Sequence, residues 1–513
     1  MSRSQSALRN TFFSSAGIYT EYVLGMLTSI LIARHLGPQH FGLYGMVIWL
    51  VSVGMTMTNA GSSTAVIKFV AELRGSGRQD LVQPLLVYLR RTQRACLLLA
   101  LVAAGLLSAF AGARLLPGFN RLALFGLLAL TISLRAAYMF NISLGKGLEN
   151  FRANATVAMI ATPLNLAMVA AAWWLDAPMS VFLAVFAISS AVFYGVSHYQ
   201  TARLVPVSTV AQLPPDLRLR IVRHMRYAAV TVTVGFVAAS DVGVLFLNLF
   251  ASSAAAGQFK VAYQLAAGAA LLLPGVVGAL MLPMMANALS QGLPMAGRRF
   301  VGATSYLMLL AAPLVGFGLV FAPAVIGLLY GASYAAAAPA FAICLLGAAL
   351  GTVAQAASSL LLSADRQRSM MLLVLANAAI KLLLDVALTV HYGLIGAVAS
   401  YAITSALTLA ALVALATHTG GLRLDWWRLA RIVAAATLAA LAVFPVREVW
   451  APFPTLAVGG VLFAGIYALL TFALGCWSGD DIEHMRQIHR RFPAVPGFAA
   501  LLTWADKRAC KGA

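Results

Sequence analysis

Apolar runs of about twenty residues recur along the whole of this sequence, and no other feature restricts its fold as much. A helix needs about 20 such residues to cross the hydrocarbon of a bilayer. Fourteen runs approach or exceed that length: 11–33, 42–66, 88–109, 122–144, 154–175, 179–200, 228–250, 258–282, 301–326, 337–362, 370–391, 394–416, 430–446 and 454–476. No long hydrophilic domain separates them. Of 513 residues, 61% are hydrophobic and 10% charged, against about 25% charged in a soluble domain. No soluble core could bury that much apolar surface. Lipid offers the backbone no partner outside a helix or a closed barrel. The expected fold class is therefore an all-α polytopic membrane protein of about 14 transmembrane helices. The first run is too long for a signal h-region and lacks a small-residue cleavage site, so it reads as a span.

A net charge of +20 would suggest nucleic acid in a soluble protein. Here it tests topology. With the N-terminus in the cytoplasm and the runs alternating, 28 of the 35 Lys and Arg fall on the cytoplasmic side. The outer side keeps Arg34, Arg114, Arg121, Lys260 and Arg447, while Arg135 and Lys381 fall inside runs. This positive-inside bias puts both termini in the cytoplasm and accounts for most of the charge without a nucleic-acid partner. Cys96, Cys344, Cys476 and Cys510 are scattered, which argues against a disulfide framework or a zinc site. There is no G-x-x-x-x-G-K-[ST] loop and no H-E-x-x-H helix. Outer loops of about ten residues or fewer leave little room for the active site of a glycan polymerase or glycosyltransferase. The chain reads as no enzyme.

Gly37-Pro38 separates the first two runs, because proline lacks an amide donor and restricts the residue before it. Residues 204–227 form the longest internal polar segment and carry Arg218, Arg220, Arg223 and Arg226. They read as a cytoplasmic linker with a basic amphipathic helix. A weak repeat is visible. Gly42-Leu43-Tyr44 matches Gly257-Gln258-Phe259 at an offset of 215 residues. An even number of runs lies between, so the two halves would be parallel repeats about an axis along the membrane normal. The expected organisation is 1–203, 204–227, 228–417, a further pair of spans at 418–477, and a basic tail at 478–513. Asp480-Asp481 begins that tail and reads as a helix start. Pro163, Pro274, Pro283 and Pro313 predict bends.

Ionisable residues inside a span cost roughly 2.5–3.5 kcal/mol each on insertion scales, so they should face protein or water. Glu21, Arg135, Asp241, Lys381 and Asp385 are of this kind. Lys381 and Asp385 are four apart and share a helix face. They read either as a self-neutralised structural pair or as a cavity wall that binds a cation. Arg135 has no carboxylate on its own run, so it either pairs with Glu21 or Asp241 or stays available to an anion. Arg34, at the outer end of the first run, either snorkels or meets a ligand. Lys260, near a run end, reads as an interfacial anchor or a cavity contact.

The stretch Arg34-His35-Leu36-Gly37-Pro38-Gln39-His40-Phe41-Gly42-Leu43-Tyr44 resembles the R-x-L-G-P-x-x-F-G-x-Y signature near the start of polysaccharide-biosynthesis (Wzx-type) flippases. These belong to the multidrug/oligosaccharidyl-lipid/polysaccharide exporter superfamily. Phe69-Val70-Ala71-Glu72, Leu144 to Phe151, Ala256 to Phe259, Tyr330 to Tyr334 and Tyr392 to Ala397 are similar to the same family in order and spacing. The resemblance covers most of residues 1–415. It implies two six-helix bundles in pseudo-two-fold arrangement around a cationic, alternately opened cavity, with two additional C-terminal helices. It implies movement of undecaprenyl-pyrophosphate-linked oligosaccharides from the inner to the outer leaflet of the bacterial inner membrane, for exopolysaccharide assembly. Coupling would be to an H+ or Na+ gradient, with no cofactor. In that setting Arg34, Arg135, Lys260 and Lys381 are the candidate substrate contacts. Glu21, Asp241 and Asp385 are the candidate coupling groups. Expected partners are the lipid-linked oligosaccharide and membrane lipids, with polysaccharide polymerase or export proteins as further candidates. A drug/cation antiporter or a peptidoglycan-precursor flippase of the same fold are the competing readings.

Overall fold

The computed structural model describes residues 3–110, 112, 119–202, 204, 212–239, 242–272, 275–364, 366–420, 424–479 and 481–483. Among these residues there are fifteen α-helices. They are α1 (Arg3–Asn59), α2 (Ser62–Gly75), α3 (Val82–Phe110), α4 (Arg121–Gly147), α5 (Phe151–Trp174), α6 (Met179–Ala202), α7 (Pro215–Ala239), α8 (Val242–Phe250), α9 (Ser253–Leu272), α10 (Gly275–Ser290), α11 (Leu293–Tyr330), α12 (Ala337–Ser363), α13 (Gln367–Gly420), α14 (Trp426–Val443) and α15 (Pro452–Ala473). Side-chain caps set several starts. Asn120 accepts from the Leu122 amide, Asn150 from that of Ala153 and Asp425 from that of Arg428, each satisfying a donor that the first turn leaves open. α5 and α11 run through Pro163 and Pro313 unbroken.

Ten helical segments among the described residues are long and apolar enough to cross a membrane. Two of them carry two predicted runs each. α1 breaks at Gly37, whose φ of 69° and ψ of 172° lie outside the helical region; Pro38 then opens the next segment. α13 breaks at Gly393. Its two halves lie antiparallel, because their contacts approach one another in sequence. Thr408 donates to Asn377, Ser400 donates to Asp385, and Gly396 packs on the Leu388 carbonyl. The runs 228–250 and 258–282 lie on α7–α8 and α9–α10, outside those ten segments.

Two compact units are present, Met1–Lys260 and Val261–Ala513. The first holds α1–α8 and the start of α9. Its closest helix contact joins the two residues that the repeat had aligned. A Cβ on Gly42 would stand 1.8 Å from the Ser253 carbonyl oxygen, and a Cβ on Gly257 would stand 2.0 Å from that of Pro38. Each glycine thus faces the carbonyl four residues before the other, so the crossing is itself two-fold in pattern. Only glycine lets backbones meet this closely. Gly45 continues the contact under the side chain of Lys260, whose Cδ would lie 2.7 Å from an added Cβ. Asn248 donates to the Gly42 carbonyl from α8.

The segment predicted as a linker is held to the same unit. Helix α7 starts at Pro215 and runs without interruption to Ala239. Leu217 and Ile221 are buried with Phe69, Leu73 and Leu85 of α2 and α3. Arg220 pairs with Glu72 at 2.8 Å and covers the Phe69 ring. This apolar face, together with the glycine crossing, joins residues 215–260 to the N-terminal helices within the first compact unit.

In the second unit α12 packs against α11 and α13. The two additional helices, α14 and α15, lie on α11, where Phe321, Ala439, Val443 and Phe463 form a buried cluster. The residues that follow are fixed by a polar knot. Arg428 pairs with Asp481 at 2.8 Å and donates to the Cys476 carbonyl. The Tyr306 hydroxyl also donates to Asp481. Ser478 and Asp481 exchange amide-to-side-chain bonds, a reciprocal helix start. Asp481 therefore starts the helix through these bonds and also ties it to α14 and α11; Asp480 lies outside the described residues. Burial alone would raise the Asp481 pKa, but bonds from Tyr306 and Ser478 and the Arg428 charge together hold it below the ordinary carboxylate value.

Two outcomes follow for the purified protein in detergent. Gly42→Leu or Gly257→Leu should lower the melting temperature sharply, since overpacking costs about 1–3 kcal/mol even where neighbours can shift. Gly195→Ala, where an added Cβ meets nothing within 4 Å, should leave it unchanged or raise it slightly. Asp481→Asn strands the buried Arg428 charge, at a cost of about 3–5 kcal/mol. Limited proteolysis should then release the segment after Ala473 much faster than in the wild type.

Candidate functional site

Arg135 is the charged side chain most fully built into the first unit. It projects from α4 onto α6, where Phe186, Ser190 and Phe193 recur at helical spacing and form one face. The guanidinium lies 4.9 Å from the Phe186 ring centre and 4.8 Å from that of Phe193. Its Nε donates to the Ser190 hydroxyl at 2.9 Å, and that hydroxyl donates to the Phe186 carbonyl. Two aromatic faces and one hydroxyl hold the group in place. Among the described residues Arg135 hydrogen-bonds through Nε alone, so its terminal amino groups are open to an acceptor. A guanidinium presented in this way matches the oxygens of a phosphate.

Glu21, on α1, is exposed and lies within electrostatic reach of Arg135 and Lys146. The two form no direct ion pair, so the partnership expected for Arg135 is a through-space one. Tyr44 and Tyr138 are also within reach of Arg135. Arg34 is exposed one turn before the Gly37 break. Lys260 is half-buried, its stem lying over Gly45. Asp241 lies outside the described residues.

Lys381 and Asp385 belong to the second unit and make a closed pair. Lys381 is 5% exposed and Asp385 1%. The ammonium meets Asp385 Oδ2 at 2.5 Å, and the Ser400 hydroxyl donates to Oδ1 at 2.5 Å. The pair sits in the seam of the α13 hairpin. Lys381, a candidate cavity contact by sequence, is here neutralised inside the protein, as buried charge requires. Asp385 is likewise enclosed rather than open to an ion.

Sequence reasoning did not find the Phe186–Ser190–Phe193 clamp, since those residues look like ordinary core. It also counted Arg90 and Arg94 only among the basic residues of the cytoplasmic side, whereas they line a cavity of about 190 Å³ with Tyr194 and His198. Among the described residues no group of three or more His, Cys, Asp or Glu is placed to hold a metal ion.

The family model described as "Polysaccharide biosynthesis protein" matches residues 7–289. No curated protein matches the chain. Among solved structures, the lipid II flippase MurJ in an inward closed conformation matches with a TM-score of 0.71 at 13% identity, covering 90% of this chain and 98% of that one. A multidrug resistance MATE family transporter of the MOP superfamily matches in its inward-facing conformation with a TM-score of 0.63 at 12% identity, over 80% and 98% of the two chains. An outward-facing MATE family structure gives 0.53 at 12%, over 81% and 95%. These similar proteins are flippases and transporters rather than enzymes. The chain is thus a multi-pass membrane protein with the MOP-superfamily fold, and it belongs to the polysaccharide biosynthesis protein family.

Proposed function

We infer that this chain is a flippase for undecaprenyl-pyrophosphate-linked oligosaccharide repeat units. It moves them from the inner to the outer leaflet of the cytoplasmic membrane by alternating access, for assembly of a surface polysaccharide. Both termini are cytoplasmic. The observation that carries the reading is Arg135, a cation fixed inside a membrane-spanning bundle with its terminal donors unused by the described residues. A pyrophosphate head cannot enter hydrocarbon bare, because losing its water costs far more than the lipid tail can return. Arginine donors can replace that water. Family membership over 7–289 supports polysaccharide as the product class.

Transport against a gradient needs a group that exchanges an ion. Glu21 suits H+ or Na+ exchange better than Asp385, because no described residue closes it into an ion pair, while Asp385 is closed off by Lys381 and Ser400. A second reading takes lipid II as cargo and is favoured by the fold likeness to MurJ. A deletion strain separates the two readings. Accumulated lipid-linked repeat units with intact cell wall support the first, and accumulated wall precursor supports the second. A polymerase or export protein that receives the cargo is a further expected partner.

Arg135→Ala should reduce surface polysaccharide at least tenfold at normal expression, and Arg135→Lys should restore it only in part, since an ammonium lacks the planar fork. Normal output from Arg135→Ala would remove this residue from the mechanism. Lys381→Met alone should destabilise the protein by about 3–5 kcal/mol by stranding Asp385. Lys381→Met with Asp385→Leu should recover the melting temperature and most of the polysaccharide output. A stable double variant with no output would instead make the pair part of coupling.

A further inference from the structure

The cavity beside α3 has no role in the reading above. It is lined by Arg90, Arg94, Ser133, Asn141, Tyr194 and His198, among others, and no carboxylate of the described residues lines it. Arg90 and Arg94 are one turn apart on α3, so their like charges repel. Neither makes an ion pair with a described residue. Arg90 is half-buried and held over the Phe140 ring at 5.5 Å. The wall behind them is braced. Gln93, buried, donates to Asn59 and to the Ala136 carbonyl, and Asn141 donates to Ser197. His198 stacks near Tyr194 at 5.6 Å.

A rigid, half-buried recess with two unmatched guanidinium groups calls for an anion. Its volume of about 190 Å³ is several times the roughly 30 Å³ that one water occupies in the liquid, so it admits a phosphate with its nearest waters. Position identifies the anion further. Asn141 and His198 lie within two turns, and Arg90 within three, of the ends of α4, α6 and α3 that the positive-inside bias places at the cytoplasmic leaflet. Basic recesses between membrane helices at that depth take acidic lipid heads.

We propose that this recess binds the phosphate head of a membrane lipid at the cytoplasmic leaflet, with Arg90 and Arg94 as the anion contacts, Tyr194 as a hydroxyl donor and His198 as a further ring N–H contact. The site is distinct from Arg135 and does not depend on which cargo is carried. Two sources share this chemistry. One is a resident anionic phospholipid, and the other is the pyrophosphate head of a polyprenyl carrier.

Native mass spectrometry of the purified full-length protein tests this, with phosphatidylglycerol, phosphatidylcholine and a polyprenyl pyrophosphate as probes. Wild-type protein should retain phosphatidylglycerol at least tenfold better than phosphatidylcholine. Arg90→Gln with Arg94→Gln should lose that retention at least tenfold, while Arg298→Gln with Arg299→Gln, removing the same charge from α11, should keep it. If polyprenyl pyrophosphate displaces phosphatidylglycerol at equal concentration, the site serves the carrier; if not, it holds a resident lipid. Equal retention of the two phospholipids, or unchanged retention in the Arg90/Arg94 variant, overturns the proposal. Should that double variant not fold, Arg94→Gln alone, at an exposed side chain, should still cost about threefold, and no loss there overturns it equally.

Discussion

A peptide group in hydrocarbon has no water to bond to, and every span must therefore satisfy its own backbone. Helices do this, but they then face lipid that is as apolar as their own side chains. The hydrophobic effect gives them little reason to associate, so close packing and polar contacts must do it. The meeting of Gly42 with Gly257 is the plainest case. Each glycine sits over the carbonyl four residues before the other, and no side chain separates the backbones. Asn248 and Lys260 close over the same contact. The two residues are those that the weak sequence match at an offset of 215 residues aligns.

Charge inside the spans is handled in two ways, and the difference bears on function. Lys381, Asp385 and Ser400 complete one another inside the α13 hairpin. Desolvation of both ions is offset by short bonds, and little is left to offer a ligand. Arg135 is held as firmly, but by aromatic faces and one hydroxyl. Among the described residues its positive charge has no direct counter-ion, and Glu21 acts on it only at a distance. A cation arranged like this stabilises the fold less than a paired one would.

The last two helices are attached by other means. α14 and α15 add to α11 through an aromatic and alanine cluster, and the Arg428–Asp481–Tyr306 knot pins the chain beyond them. Neither contact involves a repeat-related residue. The pair extends the second unit without entering the two-fold pattern of Gly42 and Gly257.

Helix content, membrane residence and the expected sidedness follow from the order of residues alone, because run length, charge placement and helix breakers act locally or along the chain. Gly37 was legible as a break for that reason, and Lys381 with Asp385 as a pair because four residues make one helical turn; at Gly393 only the gap between two runs was legible. The repeat at Gly42 and Gly257 could be read as a match, but not as a contact. Tertiary structure alone decided what lies opposite each side chain. It placed Phe186, Ser190 and Phe193 around Arg135, docked Ile221 on Phe69, and turned Arg90 and Arg94 toward His198. Those neighbours are between 51 and 152 residues apart in sequence, and distances across a bundle are set by how helices cross, which no local pattern encodes.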